Sequence, residues 1–429
     1  MMAAVIVAIM FSMLAIGMPV AFALAVSGCM GLYWVGGMDA LTGVVSTTPL
    51  STAGTYEMIS VPMFILMAEF VILSGVADNL FKAAATWVGR VPGGLAMATA
   101  LAGAGFGAIS GSSTASAATL SSTTVPAMLK QGYEPQLAGG VVAISGTLAM
   151  LIPPSIALVL YGIIADVNIS QLLVGGVVPG LMVTVTIMLT VAFLVWQKPE
   201  RAPLGISYTM MEKFRSLKVV GPMLILFMAV TGVIYTGVAT PTEASGIGAF
   251  GAFALAVRAG KINWATLFKA LMRAIQASCM IIMIIVCAKI FGYFFSLTQT
   301  TQMIVSWVSH QGLSKWVVIG LILCGYIMLG CLMDQIAILI LTVPVVLPLI
   351  LALGFDPVWF GVIIIVTAEV GLVTPPVGLN IFVVSRYTGR PLKEVFAGVW
   401  PHVIAHLGLL VLFVAFPGLI TWLPSTMNP

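Results

Sequence analysis

The chain has 429 residues, of which 61% are hydrophobic and 7% charged, and its 17 Lys+Arg and 13 Asp+Glu give a formal net charge of +4. Ordinary soluble domains carry about 25% charged residues, so this composition excludes a cytosolic enzyme, a nucleic-acid binder and a disordered scaffold. The apolar runs are continuous, which predicts spanning helices of roughly 20 residues and not the alternating strands of a membrane barrel. The sequence therefore predicts an all-α polytopic membrane protein.

The first predicted crossings follow from the basic residues, which mark the cytoplasmic ends of spans. We expect the chain to start outside, cross at about 2–16, return at about 20–36 and enter again at about 60–76. The stretch 37–60 has no Lys or Arg, which predicts an external position. The loop at Asp166 and the tail from Thr421 also lack basic residues and should be external as well.

A re-entrant hairpin is predicted next, over about 94–130, because Arg90 and Lys130 should lie on the same, cytoplasmic side. Its second arm is rich in Ser and Thr from Ser112 to Thr124 and makes a poor full span. The tip is placed at Ser110–Thr114, since polar irregular backbone is tolerated at membrane depth only inside protein or beside a wet cavity. A span broken near Pro153-Pro154 and a long helix at about 171–196 should follow.

The chain repeats itself at a constant offset of 222, the difference between the numbers of Pro348 and Pro126. Proline and glycine fix backbone geometry, so matched positions imply a matched path. Between the early anchors the register slips by two, which places Glu69 opposite Lys289. The matched positions are Pro19 and Pro241, Pro126 and Pro348, Gly132–Pro135 and Gly354–Pro357, and Pro153-Pro154 and Pro375-Pro376.

Each half should contain about five spanning helices, one re-entrant hairpin and one broken helix. An odd number of crossings inverts the second half relative to the first, so both termini should be periplasmic. Inverted repeats with paired broken helices are typical of secondary transporters, whose sites lie where the breaks meet. The predicted units are a first repeat at 1–197, a basic cytoplasmic linker at 198–217 and a second repeat at 218–429, whose hairpin (about 316–353, tip near Met333-Asp334) enters from the periplasm.

The two breaks carry the residues best suited to ion and anion binding. At the repeat offset, Ser112 matches Asp334 and Thr147 matches Glu369. Unwound carbonyls beside hydroxyls and carboxylates supply the oxygen ligands that sodium prefers, while freed N–H groups at half-helix starts favour an anionic substrate. The alternative for each Ser or Thr is an interhelical hydrogen bond, and for the prolines a structural kink.

The remaining in-membrane charges and histidines allow several interpretations. Intramembrane carboxylates are costly and usually functional, which favours Asp334 and Glu369 over Glu69. Glu69 and Lys289 would form an ion pair, or each would reach an interface or polar cavity. His402 and His406 are spaced i, i+4 without a third ligand, so no metal other than sodium is expected.

Three motifs of soluble chemistry are missing from the sequence: a GxxxxGK[ST] phosphate loop, an HExxH pair and a GxSxG elbow. Each would place specific ligands or a nucleophile at fixed spacing. The sequence therefore supports no enzyme and no organic cofactor, and transport energy must come from an ion gradient or a partner.

Five motifs together resemble the large membrane subunit (DctM, or M subunit) of tripartite ATP-independent periplasmic (TRAP) transporters, within the ion transporter superfamily. The resemblance covers essentially the whole chain in the expected order. It implies sodium-driven uptake across a bacterial inner membrane by an elevator mechanism, in which a transport domain with both hairpins slides against a scaffold. The motifs are Ser110-Gly-Ser-Ser-Thr-Ala-Ser-Ala-Ala-Thr119, Ile152-Pro-Pro-Ser155, Thr240-Pro-Thr-Glu-Ala244, Met333-Asp334 and Gly371-Leu-Val-Thr-Pro-Pro-Val-Gly378.

The same resemblance implies two sodium sites at the hairpin tips and opposing breaks, together with a substrate cavity. Two features depart from the family pattern: the residues after Asp334, and Lys289 within a span. The first sodium site would use Ser112, Ser113, Gly146, Thr147 and Pro153; the second would use Gly330, Asp334, Gly371 and Thr374; the substrate-cavity candidates are Ser110, Thr114, Ser155, Glu369 and Asn380.

The implied partners are a small four-helix membrane subunit (DctQ-like), a periplasmic substrate-binding protein (DctP-like) and the lipid bilayer, with no nucleic acid. Implied substrates are small anions or zwitterions: four-carbon dicarboxylates, sugar acids, sialic acid or ectoine. Two other hypotheses stay open. One is a self-sufficient sodium/dicarboxylate symporter of the same superfamily, and the other is an ion-conducting or structural subunit of a larger membrane complex.

Overall fold

The computed structural model of the protein describes residues 2–205 and 207–427, apart from the side chains of residues 76–78 and 309. Nineteen α-helices and three short 3-10 helices make up the regular structure of these residues. The helices of the first half are α1 Met2–Ala15, α2 Val20–Ala53, α3 Ser60–Ser74, α4 Val76–Val88, α5 Gly94–Ser110, α6 Ser113–Lys130, α7 Pro135–Thr147, α8 Ile156–Ala165 and α9 Ile169–Gln197. Those of the second half are α10 Met210–Tyr235, α11 Pro241–Arg258, α12 Trp264–Leu297, α13 Thr300–His310, α14 Lys315–Gly330, α15 Gln335–Ala352, α16 Pro357–Leu372, α17 Leu379–Thr388, α18 Leu392–Ala415 and α19 Gly418–Ser425.

The repeat is visible in the order of the helices, since α1–α9 correspond to α10–α18. The starts of α6 and α15 differ in number by the repeat offset, as do those of α7 and α16. Gly132 and Gly354, which end the two hairpins, both have a positive φ, of 84° and 77°. The all-helical fold with two helix–break–helix hairpins is thus confirmed, while the domain limits at 197 and 218 stay predictions.

Helix lengths distinguish most spans from the interrupted elements. Within the described part of the chain, seven helices are long and apolar enough to cross a membrane, and one of these is the hairpin arm α15. The four hairpin arms have 17, 18, 16 and 18 residues, and at 1.5 Å per residue they measure about 24–27 Å, short of a roughly 30 Å hydrocarbon core. An arm of this length that enters from one side is expected to end inside the layer, where its tip and the facing break need protein around them.

The structure adds a helical stretch after the second predicted crossing. Gly37 has φ 66° and ψ −162°, which interrupts the helical geometry where the predicted crossing at 20–36 ends. The chain then resumes as helix to Ala53, so most of the stretch predicted as external is helical. Only glycine adopts this backbone conformation without strain, which explains why the direction changes there.

Two bundles organise the molecule. The outer bundle contains α1–α3 and α10–α12, with α2 packed on α12 and α3 packed on α11 and α12. The central bundle contains α5–α9 and α14–α19, including both hairpins and both broken helices. α4 connects them by packing on α5 and α10, and the bundles touch where α3 meets α5 and α8, where α10 meets α9 and where α12 meets α15. Both predicted sites therefore lie within the central bundle.

Candidate ion and substrate site

The first hairpin contacts the first broken helix at backbone distance. A Cβ added at Gly107 on α5 would lie 2.8 Å from the Cα and N of Ala149, and one at Gly103 would lie 2.8 Å from the Ser145 carbonyl oxygen. From the other side, a Cβ on Gly146 would lie 3.0 Å from the Cα of Ala117 on α6. Both arms thus press against α7 where its helix runs into the break.

The second hairpin meets the second broken helix in the same manner. A Cβ added at Gly330 would lie 2.8 Å from the Cα of Gly371, and one at Gly371 would lie 2.5 Å from the Cα of Gly330. The backbone N–H of Gly378, at the end of the break, donates to the Cys331 carbonyl at 3.3 Å. Predicted site residues Gly330 and Gly371 are therefore in direct backbone contact.

Each hairpin tip ends in a polar N-cap of the second arm. Ser112 Oγ accepts from the N–H of Ala115 at 3.4 Å, and Asp334 Oδ2 accepts from the N–H of Ile336 at 3.1 Å. These two caps match at the repeat offset. The first tip turns through Gly111, whose φ is 57° and whose Cβ would collide with the Ile156 side chain. A side-chain oxygen is thereby fixed at the tip in both halves, beside the facing break.

The residue after each cap is fully buried and has an oxygen without a hydrogen-bond partner. Ser113 and Gln335, which also match at the repeat offset, are both 0% exposed. Among the described residues, Ser113 Oγ and Gln335 Oε1 have no partner, and neither has Ser145 Oγ at the end of α7. Buried polar groups are normally satisfied, so these oxygens fit a bound cation that prefers oxygen ligands. Sodium, the ion implied by the family resemblance, is chemically compatible with both sites.

The other predicted sodium ligands are bonded within their own elements. Thr147 is fully buried and donates to the Ile144 carbonyl at 2.8 Å, and Thr374 donates to the Val370 carbonyl at 2.5 Å. Both hydroxyls keep free lone pairs on oxygen. Pro153 lines an apolar cavity against α9, α10 and α19, so a contribution to the first site would come from its carbonyl.

The five substrate-cavity candidates occupy the interior of the central bundle. Ser110 Oγ lies 2.7 Å from Ser116 Oγ. Thr114 is half-buried, and its Oγ1 lies 3.3 Å from Ser112 Oγ. Ser155 Oγ caps α8 by accepting from the Leu158 N–H at 3.2 Å. The Asn380 amide donates to the Ala143 carbonyl at 3.3 Å, which links the two broken helices. Glu369 is 1% exposed, and neither carboxylate oxygen has a partner in the described chain.

Glu69 and Lys289, the charges matched by the repeat, lie in different surroundings. Glu69 Oε2 is 3.7 Å from Arg273 Nη1 on α12. Lys289 is half-buried and lines two polar cavities between the bundles. The sequence allowed either an ion pair between Glu69 and Lys289 or separate positions at an interface or a polar cavity. The structure favours the separate positions.

Sequence reasoning did not single out Gln335 as a site residue. It follows Asp334 directly, and neither hydropathy nor motif distinguishes a buried Gln from an exposed one at a helix start. The available signal was the repeat itself, because its offset matches Gln335 to Ser113, which was a candidate.

Comparison with known proteins identifies the family of this chain. Residues 7–419 match the family described as Tripartite ATP-independent periplasmic transporter, DctM component. The chain belongs to this family. It is 32% identical over 378 residues to the C4-dicarboxylate TRAP transporter large permease protein DctM of Pseudomonas aeruginosa, covering 88% of each chain.

Two further similarities add a fused relative and a solved fold. The isethionate TRAP transporter permease protein DctMQ of Oleidesulfovibrio alaskensis is 28% identical over 416 residues, which span 95% of this chain and 64% of that protein. The crystal structure of the Alcanivorax borkumensis YdaH transporter matches with a TM-score of 0.65 at 15% identity, covering 89% of this chain and 90% of that one. At 15% identity the structural match shows the fold alone. The family match and the long apolar helices show that the chain is a multi-pass membrane protein of a TRAP transporter family.

Proposed function

We propose that this DctM-family chain is the permease subunit of a sodium-coupled, binding-protein-dependent transporter that imports an organic acid across the bacterial inner membrane. The main support for this proposal is the pair of hairpin tips, each of which packs against an interrupted helix. Beside each tip lies a buried side-chain oxygen without a hydrogen-bond partner among the described residues, Ser113 Oγ in one half and Gln335 Oε1 in the other. Sodium, when bound, would supply positive charge that stabilises a substrate anion, and the sodium gradient across the membrane would drive uptake.

The residues divide into two sets by the halves of the repeat. Ser112, Ser113 and Thr147 would hold one sodium ion with the carbonyls of Gly146 and Pro153. Asp334, Gln335 and Thr374 would hold the other with carbonyls of the second break. Half-helices α8 and α17 begin beside these sites and offer free N–H groups to a substrate anion.

The elevator mechanism fits the contrast between contacts inside and between the bundles. Inside the central bundle, a Cβ added at Gly371 would lie 2.5 Å from the backbone of Gly330. At the bundle boundary, a Cβ on Gly292 of α12 would lie 4.0 Å from Pro344 of α15, an ordinary van der Waals distance. Backbone-to-backbone packing makes the central bundle a rigid unit, while side-chain contact at its edge permits sliding.

Partners are proposed from the family and from its fused member. TRAP large permeases work with a periplasmic substrate-binding protein and a small membrane subunit, and the DctMQ relative carries additional sequence in the same chain. Here, large apolar side chains such as Leu181, Leu189 and Ile225 are exposed by 60%, 64% and 70%, which suits lipid or a membrane partner.

Reconstitution tests this function. The chain would be placed in proteoliposomes with its small membrane subunit and binding protein, and uptake of radiolabelled organic acids measured under inward sodium, potassium or choline gradients. We expect uptake only with sodium and only with the binding protein present. Uptake by the chain alone would instead favour the self-sufficient symporter, and equal uptake in potassium would reject sodium coupling.

A further inference from the structure

Lys289 is a charged residue that the two proposed sodium sites do not use. It lies on α12 of the outer bundle, eight residues before the helix ends at Leu297, which is roughly 12 Å along the axis. The side chain is half-buried. A lysine at this depth is costly unless it meets an anion or water.

Two cavities meet at Lys289. The larger, of about 390 Å³, is lined from both bundles, and we call it the vestibule. The smaller, of about 270 Å³, lies between α12, Ile164 of α8 and Pro344 of α15, with Tyr293 and Ser296 in its wall. Lys289 is the side chain common to both linings, so a molecule passing from the vestibule toward the second hairpin arm would pass this ammonium group.

The vestibule is built for a polar molecule. Among the described residues that line the vestibule, Lys289 is the one cationic side chain. No carboxylate oxygen of the described residues lies within 4.0 Å of the Lys289 ammonium nitrogen. Two carboxylates, Glu57 and Asp166, are exposed at the rim. Its other polar lining residues are Thr55, Tyr56, Asn168, Ser170, Thr240 and Thr242.

The charges select what the vestibule accepts. The half-buried ammonium attracts one anionic group, because charge interactions strengthen away from bulk water. The two rim carboxylates oppose a second negative charge on the same molecule. The hydroxyl and amide groups suit hydroxyl, amide or cationic substituents, and the volume lies within the roughly 300–1,000 Å³ of ligand pockets.

We propose that the vestibule is a substrate-capture site in which Lys289 binds the carboxylate of an organic acid carrying one net negative charge or none. This inference rests on the proposed transport function and narrows its substrate class. The bundles contribute opposite walls, with Asp166 and Asn168 on the loop between α8 and α9 and Lys289 on α12. Sliding of the central bundle would therefore change the shape of this site and release the acid toward the smaller cavity.

The test uses the reconstituted three-component complex with radiolabelled N-acetylneuraminate, ectoine and succinate as probes. Lys289→Met should raise the KM for the transported probe about tenfold or more, the loss expected for a charged hydrogen bond. Lys289→Arg should stay within about threefold of wild type, and the sodium concentration for half-activation should not change in either variant. Lys315→Met is the matched control, since Lys315 lies over the Trp316 and Phe355 rings at 5.5 and 5.4 Å.

Each other outcome overturns a distinct statement. A wild-type KM in Lys289→Met would reject carboxylate binding by Lys289, and so would an equal fall in kcat for the Met and Arg variants without a change in KM. Succinate as the preferred probe, unaffected by Asp166→Asn, would reject the restriction to one negative charge. Failure of the wild-type complex to move any radiolabelled organic acid, these probes included, under a sodium gradient would reject the proposed function itself.

Discussion

The two helix breaks have matched sequences but different surroundings. The first, from Leu151 to Ser155, is buried at every residue, and its half-helix α8 is capped by the Ser155 side chain. In the second, Pro375 and Pro376 are exposed. Its half-helix α17 follows the N-cap residue Gly378, which has φ 63° and no side chain to cap the helix.

The long helices α9 and α18, which match in the repeat, explain the difference. On α9, a Cβ added at Gly176 would lie 2.6 Å from the Leu151 carbonyl oxygen, so α9 packs directly on the first break. The matching glycine of the repeat, Gly398 on α18, instead contacts the backbone of Gln136 and Gly140 on α7. Glycine permits this close approach in both places, but α18 uses it against the other half of the molecule. The comparison shows that the same repeated motif can be buried in one half and exposed in the other, depending on which helix packs over the break.

The largest effect is expected where hairpin and break touch. Gly330→Ala and Gly107→Ala should each lower uptake about tenfold or more and destabilise the fold by about 1–3 kcal/mol, because the new methyl would meet backbone. The measurement is uptake together with the thermal unfolding midpoint of the purified chain.

Gly325→Ala is the control for these variants, since nothing lies within 4 Å of its added Cβ. A helical Gly→Ala change without a clash is neutral or stabilising. Wild-type uptake in Gly330→Ala would show that the second hairpin does not depend on this contact, and a loss confined to one half would break the proposed equivalence of the two sites.

A smaller effect is expected at the tips. Asp334→Asn should raise the sodium concentration for half-maximal uptake by about tenfold and Ser112→Ala by about threefold, because a lost charge costs more than a lost hydroxyl. Sodium titration of uptake in proteoliposomes gives both numbers, with expression compared in parallel. Exposed Ser122, whose hydroxyl donates to the Thr119 carbonyl, provides the control variant Ser122→Ala. Unchanged sodium activation in both tip variants would remove them from the site.

The difference in burial between the breaks can be measured by cysteine labelling. In a chain whose five native cysteines are replaced by alanine, Val377→Cys should react with a hydrophilic maleimide about tenfold or more faster than Ile152→Cys. The reason is that Val377 is half-buried beside exposed prolines whereas Ile152 is 8% exposed, and buried thiols react slowly. Equal rates would mean that both breaks are open or both sealed.

The smallest effect is expected at Glu69. Its partner Arg273 has a side chain that is 65% exposed, and the pair is 3.7 Å apart, so solvent screening should leave about 0–1 kcal/mol. Glu69→Gln should therefore shift the unfolding midpoint little and leave KM near wild type, in contrast to Lys289→Met at the matched position. A large rise in KM would place Glu69 on the substrate path.

Much of the fold could be predicted from backbone-fixing residues. Pro153-Pro154, Pro375-Pro376 and the glycines that end the hairpins determine where helices stop, and the constant offset between the halves identifies both breaks. The helix beyond Gly37 was not predicted, because the stretch was placed by its lack of Lys and Arg, which indicates a side of the membrane and not a backbone conformation.

Burial and pairing could not be predicted from the sequence in the same way. Gln335 is a site candidate only because it is buried, and Glu69 pairs with Arg273, which lies in the other half of the chain, rather than with its repeat partner. The contrast between the breaks depends on Gly176 and Gly398, which the repeat matches but which pack against different helices. Local sequence specifies the breaks, whereas their surroundings depend on the packing of the whole bundle.

The most direct test of two ion sites at the hairpin tips is the thermal unfolding of the purified chain in sodium, compared with potassium at equal ionic strength. Ligands that bind only the folded state raise its stability. The account predicts a higher midpoint in sodium, a smaller rise in Asp334→Asn and in Ser112→Ala, and none when both changes are combined. A rise that is equal in potassium, or that survives in the double variant, would contradict ion binding at the tips.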